Sequence, residues 1–307
     1  MWEKMGLFLP DLRLETMHDT LNRFLFDHTN VRGQHVALDA TWQAALENLD
    51  YPGPVREVLG ELLAASLLLT GTLKFEGSLK VEARGDGPLS LVVVQATSAK
   101  SVRGMAHWEG EVPEEGDLRQ LIGDNGYLVL TIEPAGEGRD YQGIVGLEAG
   151  TVAGALEQYF EQSEQLPTRM WLAADGQHAA GLLLQRLPGE EGEDPDAWDR
   201  TVHLASTVRD EELLRLPAND LLYRLFHEEE VRVFDPEYCH FRCSCSTERV
   251  ANMLRGLGQE EVRGIVEEQG EVRVNCDFCG RPYVFDSVDA EQLFSETTPP
   301  EEDDTRH

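Results

Sequence analysis

The residues best suited to chemistry are four cysteines arranged as two close pairs. Cys243 and Cys245 are separated by one residue, Cys276 and Cys279 by two, and Gly280 directly follows the second pair. Zinc prefers four thiolates in a tetrahedron at about 2.3 Å, and each short spacing places two sulfurs on one side of the ion. The spacing therefore predicts one zinc ion bound by all four thiolates.

Four thiolates on one metal can serve structure or chemistry. A purely structural zinc ribbon is the interpretation that the spacing by itself favours. Thiolates also react with oxidants, however, and two close pairs supply the four sulfurs that a product with two disulfides needs. A disulfide within the Cys243–Cys245 pair would close a very small ring, so we expect it to be strained and easily reduced again. The sequence therefore also fits a reversible redox switch.

Two neighbouring residues could alter this chemistry. Cys239 is a spare thiol that we expect to be a bystander, although it could also scavenge an oxidant or form a wrong disulfide. His240 could replace one thiolate, but four cysteines already complete a tetrahedral site, so we expect a surface histidine.

The first 188 residues alternate between helical and strand patterns, which predicts one mixed α+β domain. Helical spacing of Met17, Leu21, Phe24 and Leu25 predicts a first helix, and Pro54 opens a strongly apolar second one. A change to a period of two at Gly77, with the turn GDGP, predicts a hairpin. Further strands are predicted at residues 31–38, 127–132, 141–147, 168–173 and 179–187, with a helix at 152–160.

A stretch rich in glycine, proline and acid at residues 188–196 predicts a linker. The amphipathic helical region beyond it, interrupted by Pro217, needs a partner surface to cover its apolar stripe. We therefore expect a helical linker region at 189–231, a small four-cysteine zinc-binding domain at 232–291 and a disordered tail at 292–307. Because residues 232–291 hold few large apolar side chains, metal binding must supply much of that domain's folding free energy.

The amino-acid composition indicates the cellular compartment of the protein and the kinds of partner that it can bind. The 57 acidic and 26 basic residues give a net charge of -31, which repels nucleic acid phosphates. All five cysteines lie between Cys239 and Cys279, the wrong distribution for a disulfide framework that holds a secreted fold together. The N-terminus lacks a secretory signal pattern, and the longest apolar run is far shorter than the roughly 20 residues that cross a bilayer. We expect a soluble cytoplasmic protein with no nucleic acid or membrane partner.

Several phrases of the sequence point to a known family. They are LFDHTNVRGQHV, GDGPLSLVVV, YQGIVGLE, SEQLPTR and LPANDLLYRLFHEEEV. Together with the two cysteine pairs, they resemble the redox-regulated thirty-three-kilodalton heat-shock chaperone family, from Leu21 to Phe285. Because the phrases fall in both predicted domains and in the linker, the resemblance is more specific than a zinc motif.

The resemblance implies an ATP-independent holdase chaperone rather than an enzyme, inactive while reduced and zinc-bound. Peroxide or hypochlorite under unfolding conditions would then activate it. By the same resemblance, Cys243 would pair with Cys245 and Cys276 with Cys279, zinc would leave, and the linker would loosen. Homodimers would then hold unfolded client proteins on exposed apolar surface. Cys239 and the strong acidity depart from the family pattern.

Two other classes of function stay open. A thiol–disulfide oxidoreductase could use Cys276 and Cys279, although that pair lies near the chain end rather than at the start of a helix in a βαβ unit. A zinc-ribbon factor could bind RNA or ribosomes, although residues 232–291 hold seven arginines against twelve acidic residues.

Overall fold

The computed structural model describes residues 19–72, 76–114, 116–136, 138–188 and 194–295. The chain divides into two compact units between Arg242 and Cys243. The strands are β1 Thr20–Phe26, β2 Val31–Leu38, β3 Gly77–Arg84, β4 Leu89–Thr97, β5 Ser101–Trp108, β6 Tyr127–Pro134, β7 Tyr141–Gly146, β8 Thr168–Ala174, β9 Ala179–Arg186, β10 Val231–Val233, β11 Glu237–Tyr238, β12 His240–Phe241, β13 Val272–Asn275 and β14 Pro282–Phe285. The helices are α1 Ala40–Leu46, α2 Gly53–Thr72, α3 Leu118–Ile122, α4 Val152–Tyr159, α5 Ala197–Ala205, α6 Asp210–Arg215, α7 Ala218–Phe226, α8 Thr247–Leu257, α9 Gln259–Gln269 and α10 Ser287–Ser295.

Helix α2 lies at the centre of the first unit. Its sequence is apolar on nearly every side, and a helix of that kind is stable only when it is buried all round. One side packs against β2, β8 and β9, and another packs against β3, β4 and β5. The predicted helix near Pro54 is confirmed, and it lies between two sheets.

In the described residues, the first unit holds two sheets of six strands each. The first has the order β10-β1-β2-β9-β8, with β11 also paired to β1, and the second has the order β12-β5-β4-β3-β6-β7. The predicted hairpin is confirmed, because β3 and β4 pair in antiparallel register from Ser78 opposite Thr97 to Arg84 opposite Leu91. The predicted strands in residues 127–187 are also present. The mixed α+β class is therefore confirmed.

The predicted first helix is wrong, because Thr20–Phe26 is strand β1, paired with β2; Met17 lies outside the described residues. Leu21 packs into the core around α2, whereas Phe24 and Phe26 pack on the opposite face of the sheet. When both faces of a strand are covered, apolar residues point both ways and the period-two pattern disappears.

Helices α5, α6 and α7 cover the outer face of the first sheet. Their apolar side chains and the outward side chains of β1, β2, β8 and β9 form one buried cluster, separate from the core around α2. Its buried members are Phe24, Phe26, Val31, Ala173, Ala180, Leu182, Leu184, Ala197, Ala205, Leu213, Leu214, Leu221, Leu222, Leu225 and Phe226. The surface that covers the amphipathic stripe is therefore the chain's own sheet.

The boundary of the C-terminal unit differs from the predicted residue 232. Strands β10 and β11 pair with β1, and β12 pairs in parallel with β5, so these residues belong to the first unit. The second unit begins at Cys243. These short strands connect the linker helices to the first cysteine pair.

The C-terminal unit contains helices α8, α9 and α10 and the hairpin β13–β14. The apolar side chains of this unit form a small core, whose buried members are Ala251, Leu254, Val262, Val272, Tyr283, Phe285, Ala290 and Leu293. Residues 292–295, predicted as tail, belong to α10, and residues 296–307 lie outside the described part of the chain. In the described residues, no helix has the length and apolar character needed to span a bilayer.

Candidate metal centre

The four cysteines of the C-terminal unit converge on one point. Their sulfur atoms all lie within 4.8 Å of one another. The Sγ atoms of Cys243 and Cys276 are 3.6 Å apart, and those of Cys245 and Cys279 are 3.5 Å apart. A regular tetrahedron with metal–sulfur bonds of about 2.3 Å has sulfurs about 3.8 Å apart. The four sulfurs therefore fit a single tetrahedral metal ion.

The second pair lies in the turn between β13 and β14. The N–H of Gly280 donates to the carbonyl oxygen of Cys276 at 2.7 Å, and the N–H of Cys276 donates to the carbonyl oxygen of Arg281 at 3.0 Å. Gly280 has a φ of 66°, the left-handed region that glycine adopts at little cost. The backbone N–H groups of Phe278 and Cys279 also point at the Cys276 sulfur. Such N–H groups stabilise a thiolate ligand.

The first pair lies in the segment that leads into α8. Ser246 caps this helix, because its hydroxyl accepts from the backbone N–H of Arg249 at 3.2 Å. The Arg249 guanidinium donates to the Ser244 hydroxyl at 2.8 Å, within the Cys243–Cys245 pair. The helix start thus fixes the loop that carries both sulfurs.

The donor chemistry requires a cation. Burial raises the pKa of Cys276 and of Cys279, and the neighbouring thiols raise that of Cys279 further. Burial also raises the pKa of Cys245, but the Tyr283 hydroxyl and the other thiols lower it by more, to about 7. Four negative sulfurs this close repel one another strongly unless a positive ion lies between them. The site is therefore suited to a divalent, thiolate-binding metal.

Sequence reasoning missed one residue of this site. Tyr283 is 8% exposed, packs in the small core and interacts with Cys245. The alternating pattern of β14 indicates that Tyr283 is buried. Only the fold brings it beside Cys245, which lies far earlier in the chain.

The neighbours Cys239 and His240 lie in the first unit. Cys239 is 5% exposed within the core around α2, and its N–H donates to the carbonyl oxygen of Asp19 at 2.8 Å. Burial, with the Asp19 carboxylate, raises the pKa of Cys239 to about 12. His240 is exposed in β12 and is not part of the sulfur cluster found in the described residues. This environment supports the bystander interpretation of Cys239.

Cys239 is expected to react far more slowly with iodoacetamide than the other cysteines, because the thiolate is the reactive species. When a chelator removes bound metal from the reduced protein at neutral pH, the C-terminal unit should unfold, so a short pulse should label its four cysteines. Mass spectrometry should find Cys239 labelled only later, as β11 and β12 separate from the first unit, or in denaturant. Fast labelling of Cys239 in the folded chain would contradict its assignment to the core.

The surroundings of the second pair do not resemble a thioredoxin-like site. Cys276 follows strand β13 and Cys279 precedes strand β14, so neither opens a helix. Backbone N–H groups at a helix start are what lowers the pKa of the attacking cysteine in such enzymes. For Cys276 and Cys279 the pKa is raised instead.

Comparison with known proteins agrees with this geometry. The family model described as Hsp33 protein matches residues 19–286 of the chain. The chain belongs to the Hsp33 family. A relative named 33 kDa chaperonin from Nitrosococcus oceani is 50% identical over 289 residues, which cover 94% of this chain and 99% of the relative. The 33 kDa chaperonin of Escherichia coli O7:K1 is 48% identical over 286 residues, which cover 92% of this chain and 97% of the relative.

A solved Hsp33 structure has the same fold. The crystal structure of the 33 kDa chaperonin from Thermotoga maritima matches with a TM-score of 0.76 at 25% identity, covering 91% of this chain and 99% of that one. The suspected resemblance is therefore confirmed. Membership of the Hsp33 family supports a chaperone role for this chain.

Proposed function

We propose that this chain is a redox-regulated, ATP-independent holdase that protects unfolding proteins from aggregation under oxidative stress. In the reduced state the four cysteines bind one zinc ion and the protein is inactive as a chaperone. Oxidation forms disulfides between Cys243 and Cys245 and between Cys276 and Cys279, zinc is released and the linker region loosens.

One observation carries this proposal: the apolar face of the first sheet is covered by three short helices of the same chain. Phe226 of α7 is 1% exposed, and its ring centroid lies 6.1 Å from that of Phe24 and 5.0 Å from that of Phe26. Release of the helices would expose the apolar surface on both sides of this contact. A holdase needs such a surface to bind unfolded chains.

The covering layer is held chiefly by apolar contacts. Arg200 of α5 pairs with Asp194 and Glu229, both at 2.6 Å, but its side chain is 39% exposed. Exposed ion pairs contribute about 0–1 kcal/mol each, whereas burial of one large apolar side chain contributes roughly 1.5–3 kcal/mol. Helices this short are not stable without their packing surface. Loss of part of the packing should therefore unfold them cooperatively.

The cysteines act as the trigger because their oxidised and reduced states cannot share one fold. Each disulfide forms from two thiols, which give two protons and two electrons to one hydrogen peroxide molecule, leaving two water molecules. Zinc, when bound, keeps the sulfurs as thiolates and ties the two pairs together. Disulfide sulfurs are no longer thiolates, so a unit with only a small apolar core loses its main stabilisation.

Chain continuity connects the trigger to the covering helices. Strands β10, β11 and β12 lie between α7 and Cys243, and each pairs with β1 or β5 over only two or three residues. When the C-terminal unit unfolds, the chain directly after β12 is no longer held in place. The short strands can then separate from β1 and β5. We propose that α5–α7 then follow.

The proposed partners follow from the same exposed surface. Unfolded or partly folded proteins are the clients, and the oxidised protein forms homodimers in a cytoplasm that has come under oxidant stress. A net charge of -31 opposes binding to nucleic acid. No chemical transformation of the client is part of this function.

The test is to measure aggregation of a thermally unfolded client while a chromophoric chelator reports released zinc. Reduced, zinc-loaded protein is expected to give no protection, and peroxide at elevated temperature is expected to release about one zinc per chain as protection appears. Equal protection by the reduced, zinc-loaded protein would overturn the switch, and zinc release without protection would overturn the holdase assignment.

A further inference from the structure

A fully buried histidine lies beneath the linker helices. His35 of β2 is 0% exposed, and among the described residues neither ring nitrogen has a hydrogen-bond partner. Its register partners are Asn22 of β1 and Leu182 of β9. Directly opposite residues of a sheet share a face, and Leu182 belongs to the cluster covered by α5–α7. His35 therefore lies in the layer that the linker helices cover.

Neither register neighbour of His35 carries a negative charge that could stabilise a protonated ring. Asn22 uses its side-chain amide on the Thr20 hydroxyl at 3.1 Å. The side chains that α5, α6 and α7 bury in this layer are apolar, apart from Thr201, which donates to the carbonyl oxygen of Ala197 at 2.8 Å. Burial by itself lowers the pKa of His35 to about 4.

The charged groups of the covering helices are engaged elsewhere. Arg200 is held by Asp194 and Glu229, Arg224 by Glu212, and Arg215 by Asp175. The remaining charged side chains of α5–α7 that face solvent are Asp199, His203, Asp210, Glu211 and Asp220. None of them contributes to the lowered pKa of His35, which comes from burial.

We propose that His35 makes docking of the linker helices acid-labile, so that its protonation favours their release without oxidation of any cysteine. In the docked state the ring is neutral and buried, and in the released state it is exposed to water and free to bind a proton. Acid is thus a second signal that acts on the same covered surface. This inference rests on the proposed function only for its consequence, client binding.

The size of the effect follows from linkage. A histidine whose folded pKa is lowered costs stability as pH falls below its unfolded pKa, and the loss is complete only below the folded pKa. With an unfolded pKa of about 6.5 and the lowered value in the docked state, acidification from pH 7.5 to 5.0 should raise the released-to-docked ratio roughly 30-fold.

A half-buried carboxyl near these helices titrates in the opposite direction. Burial, with Glu57 and Asp210, raises the pKa of Glu61 in α2 to about 8. Acid therefore neutralises Glu61 and favours docking of α6. Wild type and a variant without His35 both keep Glu61, so the difference between their pH dependences measures the contribution of His35.

The experiment compares wild type with His35→Leu, with His203→Gln on the exposed side of α5 as matched control. Amide hydrogen exchange in α7, corrected for intrinsic rates, is measured at pH 7.5 and 5.0 on reduced, zinc-loaded protein. The acid-induced loss of protection should be about 30-fold larger in wild type and in His203→Gln than in His35→Leu. Equal pH dependence in all three proteins would overturn the proposal.

A direct titration keeps the proposal testable if His35→Leu folds poorly. The Cε1 proton of His35 in wild type, followed by NMR, should stay in its neutral position to below about pH 5. An ordinary pKa for this ring would overturn the proposal. Peroxide activation at pH 7.5, measured on the same proteins, reports on the proposed function separately.

Discussion

Cys276→Ser is expected to abolish stoichiometric zinc binding and to unfold residues 243–295, while helix α2 of the first unit stays folded between its two sheets. Three remaining sulfurs leave an incomplete tetrahedron, and zinc supplies about 10–16 kcal/mol of apparent folding free energy in structural zinc peptides. That amount equals or exceeds the total stability of a typical domain, about 5–15 kcal/mol. The small core around Leu254 and Phe285 does not replace it. Zinc content and amide exchange in α8–α10 are the measurements.

Cys239→Ala is the matched control for this substitution, because it removes the cysteine that lies in the first unit. It should keep one zinc per chain, protected amides in α8–α10 and an idle reduced state. If Cys276→Ser retained protected amides in α8–α10 without metal, apolar packing rather than sulfur coordination would hold this unit together.

Phe226→Ala should give a protein that protects clients while it is still reduced and zinc-loaded. The ring is buried between α7 and the two phenylalanines of β1, and truncation of a buried Phe to Ala costs about 3–5 kcal/mol. A loss of about 3 kcal/mol shifts the docking equilibrium roughly 100-fold toward release. Client aggregation and zinc content, measured together without oxidant, test this.

Tyr223→Ala is the control on the same helix, because Tyr223 is 57% exposed and faces away from the sheet. It should leave docking and the idle state unchanged. If both substitutions activated the protein equally, a general loss of helix α7 rather than loss of the buried contact would be responsible. If neither did, the covered sheet face would not be the client surface.

The metal site could be predicted because its signal is local. Each cysteine pair spans three or four residues, and Gly280 sits where a left-handed turn is needed. The amphipathic stripe of the linker was predictable for the same reason. Its covering surface was not, because β1 carries apolar residues on both faces, and strands as short as β10–β12 leave no periodic pattern.

Long-range contacts account for the other differences. The small core of the C-terminal unit draws single residues from three helices and a hairpin, so no segment of its sequence looks apolar enough to indicate it. The position of Ser66 on the apolar face of α2 predicts a bond to a backbone carbonyl, yet the Ser66 hydroxyl has no hydrogen-bond partner in the described part of the chain. Thr70 and Thr72 of the same helix make such bonds, to the carbonyls of Leu67 and Leu69 at 2.8 Å. Local propensity could not distinguish these three hydroxyls.

Amide hydrogen exchange on the full chain before and after peroxide treatment shows directly which helices oxidation releases. Oxidation is expected to remove protection from α8–α10 and from α5–α7, while α2 between its two sheets keeps its protection. Protection of clients by an oxidised protein whose α7 amides remain as slow as in the reduced state would contradict this expectation.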